Sequence, residues 1–576
     1  MAKIGLKMLE VTKEDLQLVR RRHQELMDER QREEPVLKEI RNYCLPYRGL
    51  FSGEKADKDG SRKDQDILNG VAVKSIRVLA AGMQSGVTSP ARPWFKLMAS
   101  DPDFADIEAV RAFFDECERR MMAVFSRSNL YNSLHALYLE LAGFATGAVL
   151  VEEDFDTTIR CRTFTSGEYA LGIGADLRVN RVARLVEFTA GQLLEDFETD
   201  VLPEEILKEA KEDKNYRKIY KVAHLVEQNP NFSEADSLEG RVPAKYRSIY
   251  WLEGKTNEKP LRVEGYSEMP IITPRWDLVA NMVYGRGPAW ECLGEVKQLQ
   301  RLERDFMGGL AKQVNPPVNV PDTRVKPNTM PGGVNYYSAT GAEGRPIITP
   351  LYAVNFDLSG LRETIHGKEQ SVREYFYADL FQMLSSYAGP QMTAQEVIER
   401  HEEKMIMLGP VLERLHSELL TPLIERTFAI MGRMNQLPDP PEELEGEDVK
   451  VEYVSILAQA QKMANVKGFN EMVQFVGTIA NLKPESVQQM DEAEMIDRYA
   501  EALGIPPGCV IGRDELMAIR QAAQEEQEKM KQLADVQAGL NMTGQAAGVA
   551  KDLSQAQMSD PSALAAILGQ GEGGMM

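Results

Sequence analysis

The residues best suited to ligate a metal or attack a substrate are six histidines and five cysteines, and their spacing argues against both roles. Cys44, Cys117, Cys161, Cys292 and Cys509 form no C-x-x-C pair and lie dozens of residues apart, so they read as reduced core thiols. His401-Glu402 begins like a zinc-protease helix, but four residues after His401 stands Met405, which cannot ligate zinc. His23, His135, His224, His366 and His416 show no metal-ligand spacing and are expected to be solvated or hydrogen-bonded within the fold. Gly254-Lys255-Thr256 resembles the end of a phosphate-binding loop, yet the glycine needed five residues earlier is Ile249. GIGADL at 172–177 puts Leu177 where a dinucleotide fingerprint needs its third glycine. GMQSG at 82–86 follows a helix where a nucleophile elbow must follow a strand, and reads as a helix end. Acid pairs such as Glu152 with Glu153 or Asp154 with Asp156 arise by chance among 88 acidic residues. No enzyme is expected, and no cofactor or metal.

At 576 residues, and roughly 150 residues per domain, the chain is long enough for about four domains, or fewer if elongated. Hydrophobic residues at 43% and charged residues at 27% disfavour general disorder, a collagen-like fibre and a membrane channel. The formal charge of −21 argues against a protein whose whole surface grips phosphate backbones, though local basic patches remain open to it. The first residues meet Glu10, Glu14 and Asp15 before any apolar run forms, so no signal-peptide core is expected. The most apolar stretch, Leu137 to Val151, is too short to span a bilayer and contains Glu140.

These side chains sit on a predominantly helical α+β pattern. Helical spacing runs from Lys13 to Tyr43, from Ile67 to Met83, from Ile107 past Phe125 and from Tyr131 to Phe144. After Gly147, segments rich in Val, Thr and aromatics predict strands within 148–155, 158–165, 178–189, 221–228, 246–254 and 262–276. A long helix is predicted over 289–313. The next stretch, 314–356, holds seven prolines and four glycines and cannot be helical. Helix is predicted again over 358–384, then a break at 385–392. Thr393 and Glu396 have capping-box spacing and open a long helix that runs to 436, with kinks expected at Pro410 and Pro422. Seven acids and one lysine in 437–452 describe a solvated linker. Helical segments resume over 454–536. The last 40 residues contain seven glycines and no aromatic residue, with Leu564 to Leu568 their most apolar piece.

Five strings in this order, AAGMQSGVTSPARPWFKL (80–97), EMPIITPRW (268–276), YGRGPAW (284–290), VNPPVNV (314–320) and MTAQEVIERHEEKMIMLGPVLERLHSELLTPLIERTF (392–428), closely resemble the head-to-tail connecting, or portal, proteins of podovirus-type bacteriophages. The resemblance covers roughly residues 10–435. It implies an elongated portal-like subunit: an α+β wing over 1–288, stem helices at 289–313 and 357–384, a clip at 314–356, a tunnel loop at 385–392, a kinked wing helix at 393–436, an acidic linker at 437–453, a helical crown at 454–536 and a flexible or barrel-forming tail at 537–576.

The function it implies is a non-enzymatic ring, usually dodecameric, at one capsid vertex, through which DNA is packaged and ejected. The implied partners are further copies of the chain, the major capsid and scaffold proteins, the terminase large subunit, tail adaptor or nozzle proteins and the double-stranded DNA in the channel, with no membrane. The implied location is the virion, after assembly in the host cytoplasm. On the second stem helix Arg362, Lys368 and Arg373 are candidates to touch DNA phosphates, and in the loop Tyr387 and Gln391. A helical internal virion or scaffold protein, or a packaging-associated enzyme, are the rival readings.

Overall fold

The computed structural model describes residues 11–51, 63–99, 107–211, 215–232, 244–254, 259–314, 318–319, 349–350, 357–385, 408–444 and 449–452, with single positions at 326, 328, 330, 334, 495 and 529. The chain divides into two compact units, residues 1–458 and 459–576, and all but two described positions lie in the first.

That first unit is mixed helix and sheet. Helix α1 (Lys13–Cys44) starts where Thr12 Oγ1 accepts the Asp15 N–H at 3.2 Å, and Glu14 and Asp15 complement the positive end of the helix dipole. Its buried residues, Leu16, Val19, His23, Leu26, Arg30, Glu34, Leu37, Ile40 and Cys44, step by three and four along one seam. The first part of that seam packs on a sheet and the last part enters the helical core, so α1 ties the two layers together.

The sheet is an antiparallel meander of β4 (Tyr169–Ile173), β5 (Val179–Thr189), β6 (Ile219–Gln228), β7 (Tyr246–Leu252) and β8 (Arg262–Tyr266), in that spatial order. Side chains alternate across it as strand geometry requires. Ala183, Ala223, Leu225, Ile249 and Trp251 face α1, the alanines letting the helix sit close. Val222, Tyr250 and Leu252 face two short helices that the sequence reading missed, α5 (Ala190–Asp196) and α6 (Glu204–Lys211). A smaller sheet pairs β2 (Ala148–Asp154) with β3 (Thr158–Phe164) and with β9 (Ile271–Ile272).

The helical core is built by α2 (Val71–Val87), α3 (Glu108–Arg127), α4 (Leu130–Phe144) and the inner half of α7 (Pro288–Val314). Glu140 on α4 is fully buried and its carboxylate is satisfied by Arg48 Nη1, Thr165 Oγ1 and the Ser166 N–H, each at 2.9 Å. Burial raises its pKa against the opposing pull of the Arg48 charge. Gly167 has φ +100°, and a Cβ there would lie 1.8 Å from the Leu50 carbonyl oxygen, so no other residue fits that turn.

Three features differ from the sequence reading. The helix predicted over 358–384 is two helices, α8 (Leu358–Tyr375) and α9 (Ala378–Ser385), because Tyr377 takes a left-handed conformation (φ 52°) and stacks near Trp276 at 6.5 Å. The redirected α9 lays Phe381 over Gly82 of α2, where a Cβ would come within 2.2 Å of the ring. The predicted kinks become a single device: α10 (Gly409–Leu415) and α11 (Thr421–Arg433) carry Pro410 and Pro422 in their first turns, and a π-turn at His416–Leu420 joins them. The acidic linker is not wholly solvated loop, since β12 (Val449–Glu452) pairs antiparallel with β1 (Lys96–Ala99), Leu97 opposite Val451. That pairing saturates backbone groups that a free linker would leave to water.

Beneath β1, Glu118 accepts the Leu97 N–H at 2.7 Å. Burial pushes its carboxyl up from 4.5 to about 7, against the opposing pull of the Leu97 hydrogen bond and of Lys96. Between those values the folded chain holds a proton that the unfolded chain has released. Its contribution to stability is therefore full below about pH 4.5 and is lost as pH rises through 7. Glu118→Gln keeps the acceptor without the charge. Thermal melts should show the variant gaining on the wild type between pH 5 and 8, by up to about 3 kcal/mol; parallel pH profiles would contradict this assignment.

Candidate functional site

Helices α7 and α8 run antiparallel: Lys368 meets Glu295, and Tyr377, further along the second strand of the pair, lies beside Glu291, further back along the first. The inner half of α7 is core, with Ala289, Cys292, Leu293, Val296, Leu299 and Gln300 buried. Its outer half is not. Met307 is 59% exposed and Val314 77%, and from Arg301 onward only Leu302, Glu303, Phe306, Gly309 and Leu310 are even half-buried. On α8 the buried residues are Ile365 and Val372. The pair thus leaves the body as a two-helix projection with apolar side chains at its outer end. Between the helices, the first and last parts of the Pro-rich insert meet where β10 (Val318–Asn319) pairs with β11 (Thr349–Pro350).

A buried polar junction sets the point of departure. Gln300 Oε1 accepts the Leu68 and Asn69 N–H groups at 2.7 and 2.9 Å, and Gln300 Nε2 donates to the Asn69 carbonyl at 2.8 Å. The glutamine side chain thereby replaces a strand partner for the turn that precedes α2. Asn69 in turn closes the turn that leads into α2, its Oδ1 accepting the Val71 N–H at 3.0 Å. Its Nδ2 donates to Glu303 Oε1 on α7 at 2.9 Å and to Glu369 Oε1 on α8 at 2.8 Å. Three helices are fastened through one amide. Neither Asn69 nor Gln300 was flagged from sequence; the available signal was a glutamine on the otherwise apolar stripe of α7.

The candidate DNA-contact residues divide by environment. Arg362 is exposed near the start of α8. Lys368 Nζ lies 3.6 Å from Glu295, and Arg373 Nη2 lies 3.9 Å from Glu369, which also sits 3.2 Å from His366 Nδ1. Lys368 and Arg373 are therefore partly compensated within the helix pair. Tyr387 and Gln391 lie outside the described residues, as do 386–407, nearly all of the insert and all but two positions beyond 452.

The model of the bacteriophage head to tail connecting protein matches residues 16–511. The chain belongs to that family. It is 36% identical over 530 residues to a probable portal protein of Bordetella phage BPP-1, covering 92% of this chain and 93% of that one. It is also 36% identical over 548 residues to the portal protein of Salmonella phage epsilon15, covering 94% and 96% respectively. Among solved structures, a chain in the neck of an empty GTA particle aligns over 76% of this chain and 91% of its own at a TM-score of 0.36 and 11% identity, too distant to bear on the fold.

Several of the chemistry-capable side chains among the described residues have structural roles. Cys44, Cys117, Cys161 and Cys292 are buried free thiols, each held protonated by burial. His224 stacks on Tyr250 at 3.8 Å and shares a hydrogen bond with Ser248 Oγ; burial, then Arg184 nearby, keeps it neutral. His23 Nε2 bonds the Arg184 carbonyl at 2.9 Å. Glu153 pairs with Arg433 at 2.8 Å and Asp154 closes the turn at Thr157. Among the described residues no three metal-capable side chains converge, and no helix is long and apolar enough to cross a membrane.

Gln300→Ala removes the partner of the buried Asn69 N–H and of the half-buried Leu68 N–H and should lower stability by about 2 kcal/mol. Differential scanning calorimetry of the full chain checks this, and an unchanged melting temperature would contradict the junction's role.

Proposed function

We propose that this chain assembles into a closed homo-oligomeric ring, a dodecamer, that occupies one capsid vertex and serves as the conduit for DNA packaging and ejection. In this reading the α7–α8 pair is the stem, residues 314–356 the clip, 385–392 the tunnel loop, 393–436 the long kinked wing helix, 454–536 the crown, and the sheets with α1–α6 the wing. The terminase large subunit and the tail adaptor or nozzle proteins dock on the clip, and capsid and scaffold proteins surround the wing. The observation that carries the proposal is membership of the head-to-tail connecting family over residues 16–511 together with two relatives named as portal proteins.

The physics of the projection supports it. Apolar side chains at 59% and 77% exposure on the outer half of a helix are costly in a monomer and are buried when copies pack side by side. An antiparallel helix pair with its inner half locked in a rigid body presents one flank to the neighbour on one side and the opposite flank to the neighbour on the other, which is what a cyclic, heterologous interface needs. The role is non-enzymatic: the ring guides DNA while a separate motor does the work.

Averaged electron-microscope images of the purified full chain should show closed rings with a central hole; monomers or rods at high concentration would overturn the proposal. Arg362 and Arg373 are proposed to face DNA. Arg362→Ala with Arg373→Ala should lower packaging severalfold while rings still form, and unchanged packaging would remove both from the channel.

A further inference from the structure

The 34 residues from Ile67 to Ser100 contain no acidic side chain, where a chain with 88 acids in 576 residues would carry about five. They include Lys74, Arg77, Arg92 and Lys96. The fold converts this composition into a surface. Helix α2 buries Ser75, Ile76, Leu79 and Met83 against the core, and the side left exposed presents Lys74, Arg77, Ala81 and Ser85 on successive turns. Arg92, in the loop after the helix, donates from Nη2 to the Ser85 carbonyl at 3.2 Å, which draws its guanidinium back over the same face.

Elsewhere on this acidic molecule exposed cations are commonly compensated, as in Arg21 with Glu25, Arg119 with Glu116 and Lys297 with Glu39. Lys74 and Arg77 make no ion pair among the described residues. The face is also smooth, because Ala81 and Ser85 add little bulk between the cations. It adjoins the contact of α9, whose Phe381 covers Gly82, and α9 leads directly into residue 386 and beyond.

We propose that the Lys74–Arg77–Arg92 face of α2 is a contact surface for the phosphate backbone of double-stranded DNA; the inference rests on the conduit reading above. Phosphate contacts need long cationic side chains and no base-shaped pocket, which is what this face offers. Two or three cations per copy, with no cavity to hold a phosphate, give a weak contact at each subunit. Repetition around a ring gives the sum. Such a surface keeps DNA centred without arresting it.

The test uses the full-length assembled protein and a fluorescein-labelled 60-base-pair duplex of random sequence, with anisotropy read at several salt concentrations. Lys74→Gln/Arg77→Gln should bind about tenfold more weakly at low salt, with a shallower dependence of log affinity on log salt, while ring images stay unchanged. Lys74→Gln alone should fall between. The ion-paired Arg21→Gln serves as a control and should bind as the wild type does. Unchanged affinity and salt slope in the double variant with rings intact would overturn the inference. Loss of rings in both variants would assign the face to an acidic patch of a neighbouring copy, and would overturn it as well. Wild-type rings that bind no duplex would sink this inference and leave the ring standing, whereas absence of wild-type rings would sink the conduit reading itself.

Discussion

Gln300 and the Leu68–Asn69 backbone exchange three hydrogen bonds around the buried glutamine side chain, and the direction of the helical projection depends on them. A buried amide left unpaired costs more than a typical surface contact contributes, so only one mutual placement of α2, α7 and α8 satisfies every donor. Apolar packing alone would hold the three helices together but would tolerate rotation and sliding. Asn69 removes that freedom, because its amide must reach Glu303 and Glu369 while its side-chain oxygen accepts the Val71 N–H at the start of α2. The outer half of α7 then projects at a defined angle.

A second rigid point lies in the described residues that follow 407. Arg275 is almost wholly buried and makes a forked pair with Glu418, at 2.6 Å to one carboxylate oxygen and 3.1 Å to the other, while Nη2 also reaches the Leu177 carbonyl at 2.9 Å. Glu418 belongs to the π-turn at His416–Leu420, so the irregular turn is pinned where its hydrogen bonds are weakest. Arg426, one helix further, donates to the Val151 carbonyl at 2.8 Å and to Glu268, fastening α11 to the small sheet. The two ends of residues 386–407 are thus both fixed to one body.

Much of this was legible in the sequence because periodicity is a local property. The stripe on α1 and the Val- and Thr-rich strands each announced themselves within a short window. What escaped depends on partners distant in the chain. β1 forms because Val449–Glu452 arrives alongside it, and α8 stops at Tyr375 because Trp276 stacks near Tyr377; neither partner lies within the window that reads those segments. The site was harder still. Arg362, Lys368 and Arg373 could be placed on a helix face, and Arg373 meets Glu369 by i,i+4 spacing on α8 itself, but that Lys368 would meet Glu295 required knowing how α7 crosses α8. The acid-free character of α2 was visible in composition, yet it became a face only once the fold had buried the other side.

The proposed ring completes the outer half of α7 with neighbouring copies of the chain. Hydrogen exchange followed by mass spectrometry reads this directly, by comparing backbone amides of residues 301–314 in the assembled protein with those in protein diluted to the monomer. Strong protection of that segment in the assembly and fast exchange in the monomer are expected, with residues 289–300 protected in both. Equal exchange of 301–314 in the two states would contradict it.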